Sequence, residues 1–462
     1  MISLGERDHR AEQVPPRIWS VALLWGEIPF LALVGFGELL AFVQYAVGNV
    51  SISPLKVLRV GGLYFYAFNH VVIEAQATRS GINGAFFSAG IAMMTVTAAG
   101  VYLLFRGGAE VGRRLSVAPW LTGLAGASVA LPYAAISLMV SYAVPVTFHL
   151  PGDLEGGVLR VTVSHLQAAT WPLAIGAVAG FAGGLWSARD TFARSGWGGR
   201  VAPALAGGWW MLLYGLAASM VSLLILGAVN PSAVREYLDD TAGRGLAGTD
   251  LLAHHVLALP NQSMWVLVPA MGACDRVAGA AGEQASEGFL CYSRFPRHGQ
   301  FLTTLGRQLG QGQRIASPSG SVAFTAAPLG YLLFLLVPLS AVVAGGAAGA
   351  RRGRAETRGE AAVLGALSGV VFAALVSGLA VLAAVDLHLA GGGTLTVGPD
   401  PVGGGLLALA WGVLGGAAGG ALEFSGPPPR EHRPMDRPPG RLEGWAPSED
   451  PGPTGPGSSR SF

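Results

Sequence analysis

Two carboxylic acids, Glu27 and Glu38, lie inside the first apolar block of the chain. They are 38 − 27 = 11 positions apart, so at about 100° per residue a helix returns them to within about 20° of one face. An unpaired carboxylate in hydrocarbon is costly, and we expect both to face a bundle interior, where they could relay protons or cations. The alternative is that Glu27 lies near the cytoplasmic headgroups and Glu38 hydrogen-bonds to a neighbouring helix.

Polar side chains also interrupt two other apolar blocks, at 57–74 and 251–274. The candidate site residues in these blocks are Asn69, His70, His254, His255 and Asn261. Pro260 removes a backbone donor from the second block, as a broken helix requires. Irregular backbone at membrane depth is tolerated where it is buried in protein or faces water. The blocks therefore predict re-entrant or broken segments lining a cavity, with an ordinary kinked span as the alternative.

These residues do not form a recognisable catalytic or metal-binding motif. His254 and His255 are adjacent, so on a helix they point about 100° apart, and no CxxC or HExxH spacing accompanies them. The phosphate-binding GxxxxGK[ST] loop and the GxSxG nucleophile motif are also missing from the sequence. We therefore predict no catalytic residue, no metal and no cofactor.

Composition identifies the elements that must position these side chains. Hydrophobic residues make up 51% of the 462 and charged residues 12%, about half the charged share of roughly 25% in soluble domains. The 29 basic and 27 acidic residues nearly balance, so no basic field for nucleic acid is expected. Apolar blocks long enough to span a bilayer recur along the chain. The sequence therefore predicts an all-α integral membrane protein in contact with lipid.

We predict eight full spans, each a continuous apolar block. They are 18–47, 88–105, 120–144, 170–186, 201–229, 328–350, 361–385 and 402–424. If the two irregular blocks also cross the membrane, the number becomes ten. An N-terminal tail (1–17) precedes the spans, and a Pro- and Gly-rich tail (425–462) that we expect to be disordered follows them.

The chain repeats itself, which predicts two homologous halves, 18–200 and 201–424, each with four spans and one irregular segment. A shift of 236 positions maps Leu159 and Val161 onto Leu395 and Val397. The same shift relates two glycine series, Gly176, Gly180 and Gly184 in the first half and Gly412, Gly416 and Gly420 in the second. Glycine at every fourth position lets another helix approach closely. Upstream, Asn69 matches Asn261 at 261 − 69 = 192, and we attribute the difference to an insertion at 275–327.

Arginine-rich loops predict the sidedness. With four crossings per half, the loops near Arg113, Arg194 and Arg354 and both termini are cytoplasmic, as the positive-inside rule requires. The insertion is then external, where Cys274 and Cys291 could form a disulfide or remain two thiols. Alternating polarity after the third span of each half, at 146–163 and 385–397, predicts short external β-hairpins.

The segment from Leu259 to Gly272, with Pro260, Asn261 and Trp265, resembles a segment in a family of actinobacterial multi-pass membrane proteins of unknown biochemical role, some labelled permease-like cell-division proteins. The resemblance covers about a dozen residues and implies no substrate. We predict a non-enzymatic plasma-membrane protein of envelope, cell-division or cell-wall assembly, with protein partners at the tail or the hairpins. The alternative is a permease-like transporter or channel with a midplane cavity near Asn69 and Asn261.

Overall fold

The computed structural model of the protein describes most of the chain up to residue 424. The described residues are 17–47, 53–79, 82–90, 93–115, 118–149, 157–189, 191, 198–229, 231, 256–281, 284–292, 295–296, 324–325, 329–389 and 393–424. His254, His255, the residues before 17 and the tail from 425 lie outside this part.

Eleven α-helices occur among the described residues. They are α1 (Arg17–Val47), α2 (Pro54–Phe68), α3 (Met94–Arg113), α4 (Pro119–Ala127), α5 (Ala130–Ser141), α6 (His165–Ser187), α7 (Gly198–Val229), α8 (Leu259–Ala270), α9 (Leu336–Gly353), α10 (Arg358–Ala383) and α11 (Pro401–Glu423). A 3₁₀ helix at Leu329–Leu335 leads into α9.

Within the described part of the chain, seven helical segments are long and apolar enough to cross a membrane, with α4 and α5 counted as one because only a two-residue turn separates them. The protein is therefore a multi-pass membrane protein of helical spans, as its composition predicts. The predicted span at 88–105 differs, since Ser88 and Gly90 belong to a strand and α3 begins only at Met94. α3 also carries Arg106, Glu110 and Arg113, and it is not among the seven.

In each of the two irregular blocks a short helix ends in a turn, and a strand follows the turn. α2 has 15 residues and α8 has 12, so at 1.5 Å per residue they are roughly 22 Å and 18 Å long. A hydrocarbon core of about 30 Å requires about 20 residues. Neither helix alone is long enough to span.

Eight strands form one antiparallel sheet that joins the two halves of the chain. They are β1 (Ile73–Arg79), β2 (Ile82–Gly90), β3 (Val146–His149), β4 (Val158–Val163), β5 (Asp275–Ala281), β6 (Gln284–Leu290), β9 (Val385–Leu389) and β10 (Gly393–Pro399). Their order across the sheet is β3-β4-β1-β2-β9-β10-β5-β6. A separate pair, β7 (Phe295–Pro296) and β8 (Phe324–Thr325), lies between β6 and α9 in the chain.

The strands alter the expected boundaries of the insertion at 275–327. Its first part forms β5 and β6 and belongs to the same sheet as the pairs β3–β4 and β9–β10. Sequence patterning at 146–163 and 385–397 indicates four of these strands. The other four fall in blocks that the sequence alone assigns to a span, an irregular segment or an insertion.

The same order of elements occurs twice: helix, short helix, two strands, helix, helix, two strands, helix. The turn after the short helix has a left-handed residue in both halves, His70 (φ 59°) and Gly272 (φ 97°), and 272 − 70 = 202. The next strands start at Ile73 and Asp275, again 275 − 73 = 202 apart. The position equivalent to Asn69 is therefore Met271, and the matching of Asn69 with Asn261 at a shift of 192 is wrong.

Strand register agrees with the shift of 236 in the later part of each half. Val161 pairs with Ala75 on β1, and Val397 pairs with Val277 on β5. Since Ala75 and Val277 are themselves 277 − 75 = 202 apart, the two ladders have the same register. The shift changes from 202 to 236 because the second half has extra residues after β6.

Glycine allows the spanning helices to pack at backbone distance. A Cβ added to Gly180 would lie against the carbonyl oxygen of Gly126 on α4, and one added to Gly416 would lie against that of Gly365 on α10. Both glycine faces therefore pack inside their own half. Where lipid supplies no hydrophobic drive between helices, such contact contributes through dispersion.

We expect Gly416→Ala to destabilise the protein, because its methyl group would overlap the Gly365 carbonyl group. The loss should be on the order of 1–3 kcal/mol, read as a lower unfolding temperature in mild detergent. Gly378→Ala on α10 is the control, since a Cβ there meets nothing within 4 Å. Equal unfolding temperatures for the two variants would contradict the packing account.

Candidate functional site

The turn after α2 holds two buried polar side chains, Asn69 and His70. α2 ends at Phe68, Asn69 caps it, and His70 takes the left-handed conformation that lets the chain enter β1. The Asn69 side-chain amide donates to the Phe65 carbonyl oxygen at 2.8 Å. Its oxygen accepts from the Tyr133 hydroxyl on α5 at 2.7 Å. Asn69 thus fixes the helix end to a neighbouring span.

A chain of buried hydroxyl groups extends this arrangement to α3, α5 and α6. The Thr97 hydroxyl donates to the Phe68 carbonyl oxygen at 2.5 Å, and the Tyr66 hydroxyl donates to the Ser137 carbonyl oxygen at 2.5 Å. The Ser137 hydroxyl in turn donates to the Ala168 carbonyl oxygen at 2.6 Å. These bonds satisfy polar groups within the protein, as burial in an apolar environment requires.

His70 differs from its neighbours. It is buried and lies edge-on to Trp171, with ring centroids 4.8 Å apart. Its Nδ1 has no hydrogen-bond partner among the described residues. Burial lowers the pKa of His70, an effect that the nearby Asp386 carboxylate partly offsets. The imidazole is therefore held neutral, with one nitrogen free to accept or donate a proton.

Asn261 lies at the contact between the halves. Its side-chain oxygen accepts from the backbone N–H of Met94 at 3.1 Å, and the Thr95 hydroxyl donates to the Val256 carbonyl oxygen at 3.1 Å. The first turn of α3 thus bonds to the first half through Thr97 and to the second through Met94. Asn69 and Asn261 are brought close to this one turn, where both have hydrogen-bond partners.

The two glutamates of α1 do not share a buried stripe. Glu27 is exposed, whereas Glu38 is half-buried against Gly61 of α2, where an added Cβ would overlap the carboxyl group. The expectation that both face the bundle interior is not met for Glu27. Metal ligation gains no support either, because no group of three or more His, Cys, Asp or Glu side chains occurs among the described residues.

A polar cavity of about 350 Å³ lies against β1, β4 and the start of α6. It is lined by Glu74, Gln76, Pro145, Arg160, Thr162, Val163, Ser164 and His165. Glu74 stands opposite Thr162, and Gln76 opposite Arg160, across the β1–β4 ladder. His165 is oriented by the Ser141 hydroxyl at 2.7 Å and by the stacked ring of Tyr142. The cavity therefore places the Glu74 carboxylate and the Arg160 guanidinium on one face of the sheet, beside the His165 imidazole at the start of α6.

Sequence reasoning missed this cavity, because β1 and β4 are far apart in the chain. A partial signal existed, since polar side chains alternate with apolar ones at Glu74 and Gln76 and again at Arg160 and Thr162. That alternation predicts that each strand has one polar face. Only the pairing of β1 with β4 shows that their two polar faces lie side by side on the sheet.

The second half carries a disulfide at the position of the first half's turn. Cys274 and Cys291 are bonded, with Cα atoms 4.5 Å apart, and they close the β5–β6 pair. Next to Cys274, burial raises the pKa of the Asp275 carboxyl group well above its usual value. One oxygen of that carboxyl group has no hydrogen-bond partner among the described residues, and β5 is separated from β1 and β4 by other strands in the sheet.

Comparison of the chain with family models, with curated proteins and with solved structures finds no match.

We expect Tyr133→Phe to lower stability, because it leaves the buried Asn69 oxygen without its hydroxyl donor. The loss of such a bond costs about 1–3 kcal/mol. Tyr142→Phe is the matched control, since that side chain is 65% exposed and should tolerate the change. Thermal unfolding in detergent measures both, and an unchanged midpoint for Tyr133→Phe would refute a structural role for the bond.

Proposed function

We propose that this chain is a non-enzymatic scaffold of the cell envelope, acting in cell division or cell-wall assembly from the plasma membrane. The observation that carries the proposal is the single sheet across both halves. It joins four strand pairs into one surface beside a bundle of apolar helices. Buried polar groups such as Asn69, Tyr133 and Ser137 are bonded to protein, as expected of a framework that holds this surface in place.

The arrangement of charges supports a cytoplasmic position for both termini. One end of each of α3, α9 and α10 lies next to a strand or a 3₁₀ helix in the chain. The opposite ends of these three helices carry arginines: Arg113, Arg114, Arg351, Arg352, Arg354 and Arg358. Positive charge beside spans favours the cytoplasmic side. On this proposal α3, with 20 residues, is the eighth crossing, the two halves are homologous and parallel, and the sheet is external.

The polar cavity is the proposed contact point for a partner. Glu74 and Arg160 can form charge-assisted hydrogen bonds to an extended peptide or a polar wall fragment laid along the sheet. Because β1 and β4 are paired on both sides, such a partner would bind through hydrogen bonds to these side chains, without any chemical step. This fits a sequence in which catalytic motifs are missing.

One observation favours a permease-like alternative. His70 is buried, lies at the turn where irregular backbone meets the spans, and has an unpartnered Nδ1 among the described residues. A neutral histidine at such a place could pass a proton coupled to a solute. The scaffold is preferred because Asn69 and Asn261, which a central cavity would use, are already hydrogen-bonded.

Labelling of single cysteines in intact cells tests the sidedness. A cysteine at Arg354 should resist an impermeant maleimide until the membrane is permeabilised, whereas one at Gln76 on β1 should react at once. Labelling of the Arg354 position in intact cells would reverse the proposed orientation. The native cysteines are bonded to each other and should not react.

Complementation of a strain lacking the gene tests the scaffold. A Glu74→Ala/Arg160→Ala double variant should fail to restore the envelope while reaching the wild-type level in the membrane, because the cavity loses both of its charged contacts. The matched control is Arg351→Ala/Glu423→Ala, which removes an exposed ion pair outside the cavity, and it should complement. Full complementation by the cavity variant, with failure of a stably folded His70→Asn variant, would instead favour the permease.

A further inference from the structure

The two outer strands of the sheet are not equivalent to each other. Among the described residues β3 forms one edge and β6 the other. By element order β3 corresponds to β9, and β6 corresponds to β2. Inside the chain β2 and β9 already pair with each other. The two edge strands of the sheet therefore correspond to the two strands that join the halves.

The strand register makes this correspondence specific. Ser88 pairs with His388 at the internal junction. Ser88 is opposite Glu74 and Phe289 is opposite Arg276, two equivalent positions since 276 − 74 = 202, so Phe289 corresponds to Ser88.

On the other side of the junction, His388 is opposite Thr394 and His149 is opposite Val158, and 394 − 158 = 236, so His149 corresponds to His388. An external junction of the same kind would place Phe289 opposite His149. Three of the four β9 residues in the internal junction map onto β3, since Asp386, Leu387 and His388 correspond to Thr147, Phe148 and His149.

Side chains beside the internal junction are buried across it. Leu257, before α8 in the second half, is 9% exposed in the first-half core, and Met94, at the start of α3 in the first half, is 5% exposed in the second-half core. Each half therefore buries an apolar side chain that comes from the other half.

The equivalent residues at the free edges are exposed. Leu55 corresponds to Leu257, since 257 − 55 = 202, and it is 58% exposed. The contact of Gly108 with Gly180 recurs as that of Gly346 with Gly416. Since 346 − 108 = 238, Leu332 corresponds to Met94, and it is 48% exposed.

We propose that the protein assembles head to tail with further copies of itself, β6 of one copy pairing antiparallel with β3 of the next. Leu332 of the first copy then packs into the first-half core of the second, and Leu55 of the second packs into the second-half core of the first. One chain presents both surfaces, so the interface is heterologous and generates a ring or an open row of copies. The inference concerns assembly and does not rest on the proposed function.

Two physical reasons select a second copy as the occupant. A free strand edge has unpaired backbone groups and is a template for another strand, and here the matching strand with its flanking leucine is present in the same chain. Two contacts are not repeated, because Asn261 has Arg59 at its equivalent position (261 − 59 = 202) and Thr95 has Leu333 (333 − 95 = 238). The external junction therefore depends on strand pairing and leucine packing.

Site-directed photocross-linking in intact membranes tests the register. A benzoylphenylalanine in place of His149 should give products of two or more chains, cross-linked to residues of β6 around Phe289. The same probe in place of His388 is the matched control, and it should give products within one chain, near Ser88. Products of the His149 probe that stay monomeric, or that map to another protein, overturn the proposal.

The mass of the full-length protein in lipid nanodiscs gives a second measurement. The wild type should contain more than one chain, and Leu332→Gln should lose the larger species while keeping its helical content. Leu224→Gln is the control, because Leu224 is 64% exposed on α7 and lies outside the proposed junction. A single chain for the wild type, or the same multimer for Leu332→Gln and Leu224→Gln, contradicts the assembly.

Discussion

Backbone polar groups that leave a helix beside a membrane must find partners within the protein, and this requirement governs the structure. α2 and α8 end too early to cross, so the chain turns and needs a new hydrogen-bonding arrangement at once. It finds one in the sheet, where each strand pairs with segments far away in sequence. The hydrogen bonds that Asn69, Thr97 and Ser137 donate satisfy backbone carbonyl groups of α2 and α6. Without them the turn would expose unpaired carbonyl groups to an apolar environment.

The sheet also explains how two similar halves become one molecule. The helices of each half pack mainly with one another, through glycine contacts such as those of Gly180 and Gly416. The halves meet at the β2–β9 ladder, at the first turn of α3, and through the exchange of Leu257 and Met94. Such a junction is directional, because the strands in contact are different members of the repeat. The strands that correspond to β9 and β2, namely β3 and β6, therefore remain as the two edges of the sheet among the described residues.

Polar chemistry is distributed accordingly. The buried turn at Asn69 and His70 is enclosed by aromatic and hydroxyl side chains, and at this turn the His70 Nδ1 has no hydrogen-bond partner among the described residues. The two charged groups of the cavity, Glu74 and Arg160, lie on the sheet. Recognition at the sheet, with the helices as a support, agrees with this distribution better than a polar path through the spans does.

The sequence by itself determined the membrane class and most of the long apolar helices, because these depend on local composition and on helical periodicity. It also predicted two homologous halves, with which the order of elements along the chain agrees. It also indicated the strands near Val146 and Val385 from their alternating polarity. It did not determine β1 and β2, because short strands at the ends of apolar blocks look like parts of a helix, nor β5 and β6, which lie in the segment that the sequence assigns to an insertion. The correspondence of Asn69 with Met271 also required the positions of the turns and strands. Strand order, the cavity and the contact between the halves were decided only by tertiary structure. Hydrogen bonds between strands join positions of distant sequence number, as Ser88 joins His388, and no local pattern in the chain encodes that choice of partner.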